Sequence, residues 1–325
     1  MGRTVSPKRP PSLGKRIEYR LEYALFRGLL LALSLLPLAS SLWLARRLGD
    51  VAFDVVRIRR RVTLENLARA FAPALGPREL RRLGRRNYRA IGMTFIELAL
   101  FTRDNRATLV RRATFSGGNH VVSAISARRG IIFLTAHVGN WELCAACTGA
   151  ICESLDVVFA EQRNPHIDRL IRRARERVGL HLVPRGYAVR GLLRALRAGG
   201  QVGIAGDQDA GRDGLAVPFM GVPASTAAGP AWLAYRTGAP IVIGFDHHLG
   251  GGRHHIEYTP PIWADRSRPE TEETRRILGL YMARLGEFVR RHPEQYFWMH
   301  RRWKTVLPVE GEGGDALAEL RGPGG

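Results

Sequence analysis

Residues 131–142 read IIFLTAHVGNWE, and the order of residue types in this stretch decides the fold. Ile131, Ile132, Phe133 and Leu134 make an apolar run of strand length, which Thr135, Ala136, His137 and Gly139 end in a polar turn. Asn140 is a residue type that caps helix N-termini, and 143–150 continues in small and apolar residues. The spacing therefore predicts a strand, a turn and a helix packed back on the sheet. His137 then stands at the carboxyl end of a strand and Glu142 in the first helical turn. On a regular helix, residues five apart lie roughly 140° apart, so only the turn lets these two meet. A neutral imidazole whose other nitrogen is held by a carboxylate can take a proton from a hydroxyl. His137 and Glu142 are thus a candidate base and orienter. A loop histidine next to a glutamate that complements the helix dipole would leave the same pattern.

Working outward, strand and helix signals alternate from Gly117 onward. Strands are expected at 156–160, 201–205 and 240–245, and helices at 166–178, 189–198, 227–237 and 274–291. Residues 254–258 pair with the preceding strand across Gly250-Gly251-Gly252. This alternation predicts an α/β domain with a largely parallel, mixed sheet flanked by helices. Ligands of such sheets collect beyond the carboxyl ends of the strands, where His137 falls. Other polar loops belong to the same edge: Arg163-Asn164-Pro165, Asp207-Gln208-Asp209, and 219–226. Arg163 suits a phosphate or an oxyanion, whereas Asp207 and Asp209 read as turn residues.

Lys and Arg number 50 against 29 Asp and Glu, a net charge of +21, with 45% hydrophobic residues to build a core. Such an excess suits nucleic acid, a phospholipid surface, or acidic substrates and carriers. No zinc finger, RNP-type aromatic set or convincing helix-turn-helix accompanies it, which makes nucleic acid the weaker reading, and no nucleic-acid partner is expected. Cys144, Cys147 and Cys152 fall in or near the helix after Glu142 and lack a complete ligand set, so they read as packing thiols in a reducing compartment. His247, His248, His254 and His255 flank a glycine turn and read as exposed hairpin ends. No metal site is expected. Neither a Gly-x-Gly-x-x-Gly nor a P-loop occurs where a nucleotide fold needs it, and no cofactor is expected.

The N-terminal segment 1–20 is basic, contains proline and is expected to be flexible. Residues 28–45, GLLLALSLLPLASSLWLA, are uncharged and long enough for a membrane-spanning helix, with Arg27, Arg46 and Arg47 at its ends. Pro37 can kink it and Trp43 suits an interface; a helix lying on the membrane surface fits as well. The expected organisation is a membrane-anchoring helix at 21–47, a domain at 48–307 and a disordered, glycine-rich acidic tail at 308–325. Within the domain, 57–101 reads as basic helices separated by Pro73 and Pro77.

Taken together these motifs resemble the lysophospholipid acyltransferase superfamily, and within it the lipid A biosynthesis acyltransferases of bacterial inner membranes. His137-Val138-Gly139-Asn140-Trp141-Glu142 is similar to the His-x-x-x-x-Asp/Glu signature in its lipid A form. Arg163-Asn164-Pro165 resembles the second block, and 219–226 the Phe-x-Gly-x-x-Ala block that shapes the acceptor site. Residues 293–304, PEQYFWMHRRWK, resemble the C-terminal block, and Asp207-Gln208 and 63–67 agree in place. The resemblance implies transfer of a fatty acyl group from an acyl carrier protein thioester to a hydroxyl of a glycolipid acceptor, a Kdo-bearing lipid A precursor. It implies His137 as base, Glu142 as orienter and Arg163 as the stabiliser of negative charge. Asn140, Trp141, Asn164, Asp207, Gln208, Phe219, Gly221, Thr226, Arg301 and Arg302 would contact substrates. The enzyme would sit among anionic lipids of the inner membrane with its site facing the cytoplasm. Two alternatives stay open: a phosphatidylinositol mannoside or glycerolipid acyltransferase using acyl-CoA, and a non-catalytic membrane-binding scaffold.

Overall fold

A computed structural model of the chain describes residues 12–101, 104–184 and 188–307. The first helix, α1 (Leu13–Ser34), is capped by Ser12, whose side chain accepts from the Lys15 amide. The flexible start expected through residue 20 is therefore already helical from Leu13; residues 1–11, like the tail from 308, lie outside the described residues. Pro37 follows α1 and supplies no amide hydrogen to continue it, and α2 (Leu38–Val51) begins behind it. The uncharged stretch 28–45 is thus two helices. Among the described residues no helix is long and apolar enough to cross a membrane.

After a π-helical turn at Ala52–Val56 come α3 (Arg60–Phe71), α4 (Pro77–Leu100) and α5 (Arg106–Arg111). α2 lies close against α4 because Gly49 and Gly92 face the partner backbone; a Cβ on either would sit 2.5 Å from a carbonyl oxygen, of Tyr88 and Ala45 respectively. The remainder alternates as expected: β1 (Ala113–Ser116), α6 (Gly118–Ser126), β2 (Ile131–Thr135), α7 (Trp141–Ile151), β3 (Leu155–Phe159), α8 (Pro165–Arg177), β4 (Leu180–Pro184), α9 (Ala188–Arg197), β5 (Gln201–Ala205), β6 (Leu215–Phe219), β7 (Val222–Thr226), α10 (Gly229–Thr237), β8 (Ile241–Gly250), β9 (Arg253–Tyr258) and α11 (Glu270–Arg291).

Seven strands form one sheet in the order β1-β9-β8-β2-β5-β3-β4, parallel except for the antiparallel pair β8 and β9. β2 lies inside it, with Ile132 opposite Val202 on one side and Ile241 on the other. Alternation along β2 feeds two cores. Ile132 and Leu134 join the layer under α10 and α11, and Ile131 and Phe133 join the layer under α6 and α7. An uninterrupted apolar strand is the sequence form of a strand covered on both faces. Segment 219–226, read as a loop, belongs instead to the separate hairpin of β6 and β7. Its turn is Met220-Gly221, both with positive φ, a two-residue turn that matches strand twist.

Candidate active site

Along the chain, the strands after β2 are laid first on its β5 side and later on its β8 side, and a crevice opens beyond the carboxyl ends of β2 and β5. His137 sits there, two residues past the end of β2. Its turn is fixed by backbone contacts. Val138 bridges to Tyr296, the His137 carbonyl accepts from the Phe297 amide at 2.9 Å, and the Gly139 amide donates to the Gln295 carbonyl at 2.9 Å. Gly139 has φ +51, and a Cβ there would collide with the Asp246 backbone oxygen, so glycine is required. Asn140 then caps α7 by accepting from the Leu143 amide at 3.0 Å.

The carboxylate on the His137 ring is Asp207, not Glu142. Asp207 Oδ1 lies 2.7 Å from Nδ1, and the aspartate is 1% exposed at the loop after β5. This places a proton on Nδ1 and leaves Nε2 as the basic nitrogen, with the Gln208 amide nitrogen 3.4 Å away. Trp141 meets the ring edge-on at 5.0 Å, and Phe297 lies at 6.3 Å. Burial alone would lower the histidine's pKa, but the Asp207 charge and hydrogen bond, with the Glu142 charge behind them, raise it above the ordinary value. For Asp207, burial is outweighed by His137 and by the nearby Arg302 charge, which hold its carboxyl low.

Glu142 turns the other way. It accepts from Arg175 of α8 at 2.9 Å through Nε and 2.5 Å through Nη2, and both side chains are nearly buried. α7 starts at Trp141, so the two successive side chains diverge around the helix, Trp141 to the histidine and Glu142 to α8. Arg175 was not singled out from the sequence, although it continues the Ile167, Ile171 spacing of the inward face of α8.

Arg163 does not join the histidine. Its side chain is 71% exposed and pairs with Glu18 at 3.1 Å and Glu22 at 3.6 Å on α1. Asn164 caps α8 and donates to the Tyr19 carbonyl and to Glu22. The 163–165 block therefore ties α1 to the domain. Phe219 is buried against Trp303 and Tyr296, and Gly221 makes the hairpin turn. Thr226 accepts from buried Arg302, which also donates to the Ser225 carbonyl; Arg301 points to solvent. Asp209 accepts from Thr305, so it anchors the C-terminal block rather than simply forming a turn.

His137, Trp141, Glu142 and Arg175 line a cavity of about 550 Å³ whose other walls are mainly apolar. Phe26, Leu29 and Leu33 of α1 close one side, Val157 and Phe159 of β3 and Ile167 and Ile171 of α8 line others, and the cavity reaches Thr148 and Tyr258. An apolar cavity beside an oriented base suits a reactant with a long hydrocarbon chain. The three cysteines are free and buried, as expected of packing thiols, and burial pushes Cys147 up to about 12. None of the four histidines expected at exposed hairpin ends is exposed; His247, His248 and His255 are partly buried, and His254 departs furthest. It is fully buried, and its ring nitrogen, with one from His248 and an oxygen of Glu97, forms a trio of donor atoms within 4.8 Å of one another. The alternation His254, Ile256, Tyr258 along β9 was the available signal, since all three face inward.

Residues 14–305 match the family model described as bacterial lipid A biosynthesis acyltransferase. The chain is 28% identical over 263 residues to the lipid A biosynthesis lauroyltransferase of Escherichia coli (strain K12), covering 79% of this chain and 83% of that protein. It is 27% identical over 277 residues to the palmitoleoyltransferase of the same organism, covering 83% and 87%. A lipid A biosynthesis acyltransferase of Shigella flexneri matches to the same extent. With the family match running from residue 14 to residue 305, the chain belongs to the bacterial lipid A biosynthesis acyltransferase family and is an acyltransferase.

Proposed function

We propose that the protein moves a fatty acyl chain from an acyl carrier protein thioester to a hydroxyl of a lipid A precursor, with His137 as general base and Asp207 as its orienting carboxylate. The observation that carries this reading is the 2.7 Å contact between Asp207 and Nδ1, in a ring that also lines the apolar cavity. The acceptor hydroxyl gives its proton to Nε2 as its oxygen attacks the thioester carbonyl. The carbon–sulfur bond then breaks, and the histidine returns the proton to the departing thiolate. No acyl-enzyme is needed. The Gln208 amide, 3.4 Å from Nε2, takes the role of donor to the developing oxyanion in place of Arg163, which pairs with α1. A net charge of +21 favours approach of an acidic carrier and of a phosphate-bearing glycolipid. Full-length protein incubated with labelled acyl carrier protein and a lipid A precursor, with acyl-CoA and glycerolipid as competitors, should acylate the glycolipid from the carrier. Transfer only from acyl-CoA, or only to the glycerolipid, would reject the reading.

Chain length follows from the same cavity. Ala145 lies on its wall one turn after Trp141. Ala145→Phe is expected to reduce the space and shift donor preference toward shorter chains, read by competing acyl donors of different length in one reaction. An unchanged product distribution would place the acyl chain elsewhere.

The membrane contact belongs to this reading too, at the cytoplasmic side of the inner membrane. Leu21, Leu25 and Leu35 at α1, Trp43 on α2 and Val55 in the π-helical turn are 59–78% exposed, close to Arg27, Arg46 and Arg47. Apolar side chains so exposed beside basic ones suit a helix pair lying in an anionic lipid surface. Leu25→Glu should weaken co-sedimentation with anionic vesicles, and added salt should weaken it further; binding indifferent to both would count against this face.

A further inference from the structure

Behind the His137 turn lies a buried ionic cluster with no part in the proton transfer described above. Glu97 comes from α4, Asp246 and His248 from β8, and His254 from β9; Glu97, Asp246 and His254 are each 0% exposed. His254 stands between the two carboxylates. Its Nδ1 is 3.0 Å from Asp246 Oδ2, and its Nε2 is 3.2 Å from Glu97 Oε1. The same two carboxylates grip opposite ends of Asn140. Asp246 Oδ2 accepts the Asn140 backbone amide at 2.6 Å, and Glu97 Oε2 accepts from its side-chain amide at 2.9 Å. One helical turn before Glu97, Thr94 donates to the Gly139 carbonyl at 2.8 Å and contacts His248 Nε2 at 3.2 Å.

We propose that Glu97, His254 and Asp246 are positioning residues for acyl transfer: an imidazolium shared by two buried carboxylates locks Gly139 and Asn140, and through them fixes the direction of the His137 ring and of Trp141. This rests on His137 being the base. The physical case is one of cost and geometry. A buried carboxylate without partners is expensive, and two together more so, yet here every oxygen that touches Asn140 belongs to a group held by His254. The two neighbouring charges overcome burial and raise His254 to about 10, so the cation persists across the working pH range. Burial, together with the adjacent His254 charge, outweighs Glu97 and holds His248 below its ordinary value. Only four residues, Ala136 to Gly139, join β2 to the α7 cap. A displacement of about 1 Å there misdirects Nε2 and is worth on the order of 100-fold in rate.

The test uses the full-length enzyme in a lipid or detergent environment. His254→Gln removes the cation. Asn140→Ser keeps a capping oxygen for α7 but loses the contact with Glu97, and it decides the matter if His254→Gln fails to fold. Both are expected to lower kcat about 10- to 100-fold with KM for donor and acceptor within about twofold. Both should also shift the His137 ring signals in protein carrying ¹⁵N-labelled histidine. That spectrum needs no substrate, so it reads the positioning even if the wild type fails to acylate a lipid A precursor, which would reject the proposed function alone. Unchanged kcat and an unmoved His137 signal in a folded variant would overturn the proposal. So would a stoichiometric divalent metal in the isolated wild type that disappears in His248→Ala, because Glu97, His248 and His254 would then be a metal site.

Discussion

His137→Ala is expected to reduce acyl transfer by about 10²- to 10⁴-fold, the contribution of a positioned base, while KM for the acceptor changes little because the other cavity walls, which are mainly apolar, are untouched. A retained wild-type rate would remove His137 from the chemistry. Asp207→Asn gives the finer reading. The asparagine lacks the charge that raises the histidine, and its amide can present a donor to Nδ1 and so favour the wrong tautomer. The rate at the plateau should fall. Because the base works only when deprotonated, kcat/KM of the wild type should climb with pH through a midpoint above 6.5, the ordinary value for a histidine. Without the Asp207 charge the imidazolium is less favoured, so the midpoint should move to lower pH. A midpoint that stays or rises would show that another carboxylate governs the ring.

The second large effect concerns Glu142, and it separates support of the fold from a part in catalysis. Glu142→Gln leaves the Arg175 guanidinium nearly buried without its charged partner, a loss of about 3–5 kcal/mol for pairs of this kind. Thermal unfolding should reveal it as a lowered midpoint. The double replacement Glu142→Met, Arg175→Met removes both charges and should recover most of that stability. If Glu142 acts by holding α7 to α8, the recovered protein transfers acyl groups at a rate close to wild type, with the kcat/KM midpoint slightly lowered because a charge that favours the imidazolium is gone. A stable but inactive double variant would return Glu142 to the reaction itself.

These two residues also show what the sequence can and cannot convey. The strand, turn and helix of 131–151 were legible because each signal is local: an apolar run, a glycine, a capping asparagine. The choice of carboxylate was not. Glu142 is five residues from His137 and Asp207 is seventy away, and only the parallel pairing of β2 with β5 brings the latter to the ring. Asp207 was recognisable as a site residue by resemblance, but not its partner. The 163–165 block fell between strand and helix and proved to hold α1, whereas 219–226, expected as a loop, proved to be hairpin and to hold the C-terminal block, because a short polar motif does not announce what it touches. β1, four residues with a mostly exposed pattern, carries too little to register a period.

The clasp on the histidine turn has a consequence for how the enzyme comes into being. Gln295, Tyr296 and Phe297 supply the last backbone contacts to residues 137–139, almost at the end of the described chain. A chain can lay down every described strand and still leave the His137 turn unclasped. Closure of the turn therefore waits on a segment that follows every described strand, and releasing 295–297 would free the turn even with the sheet intact.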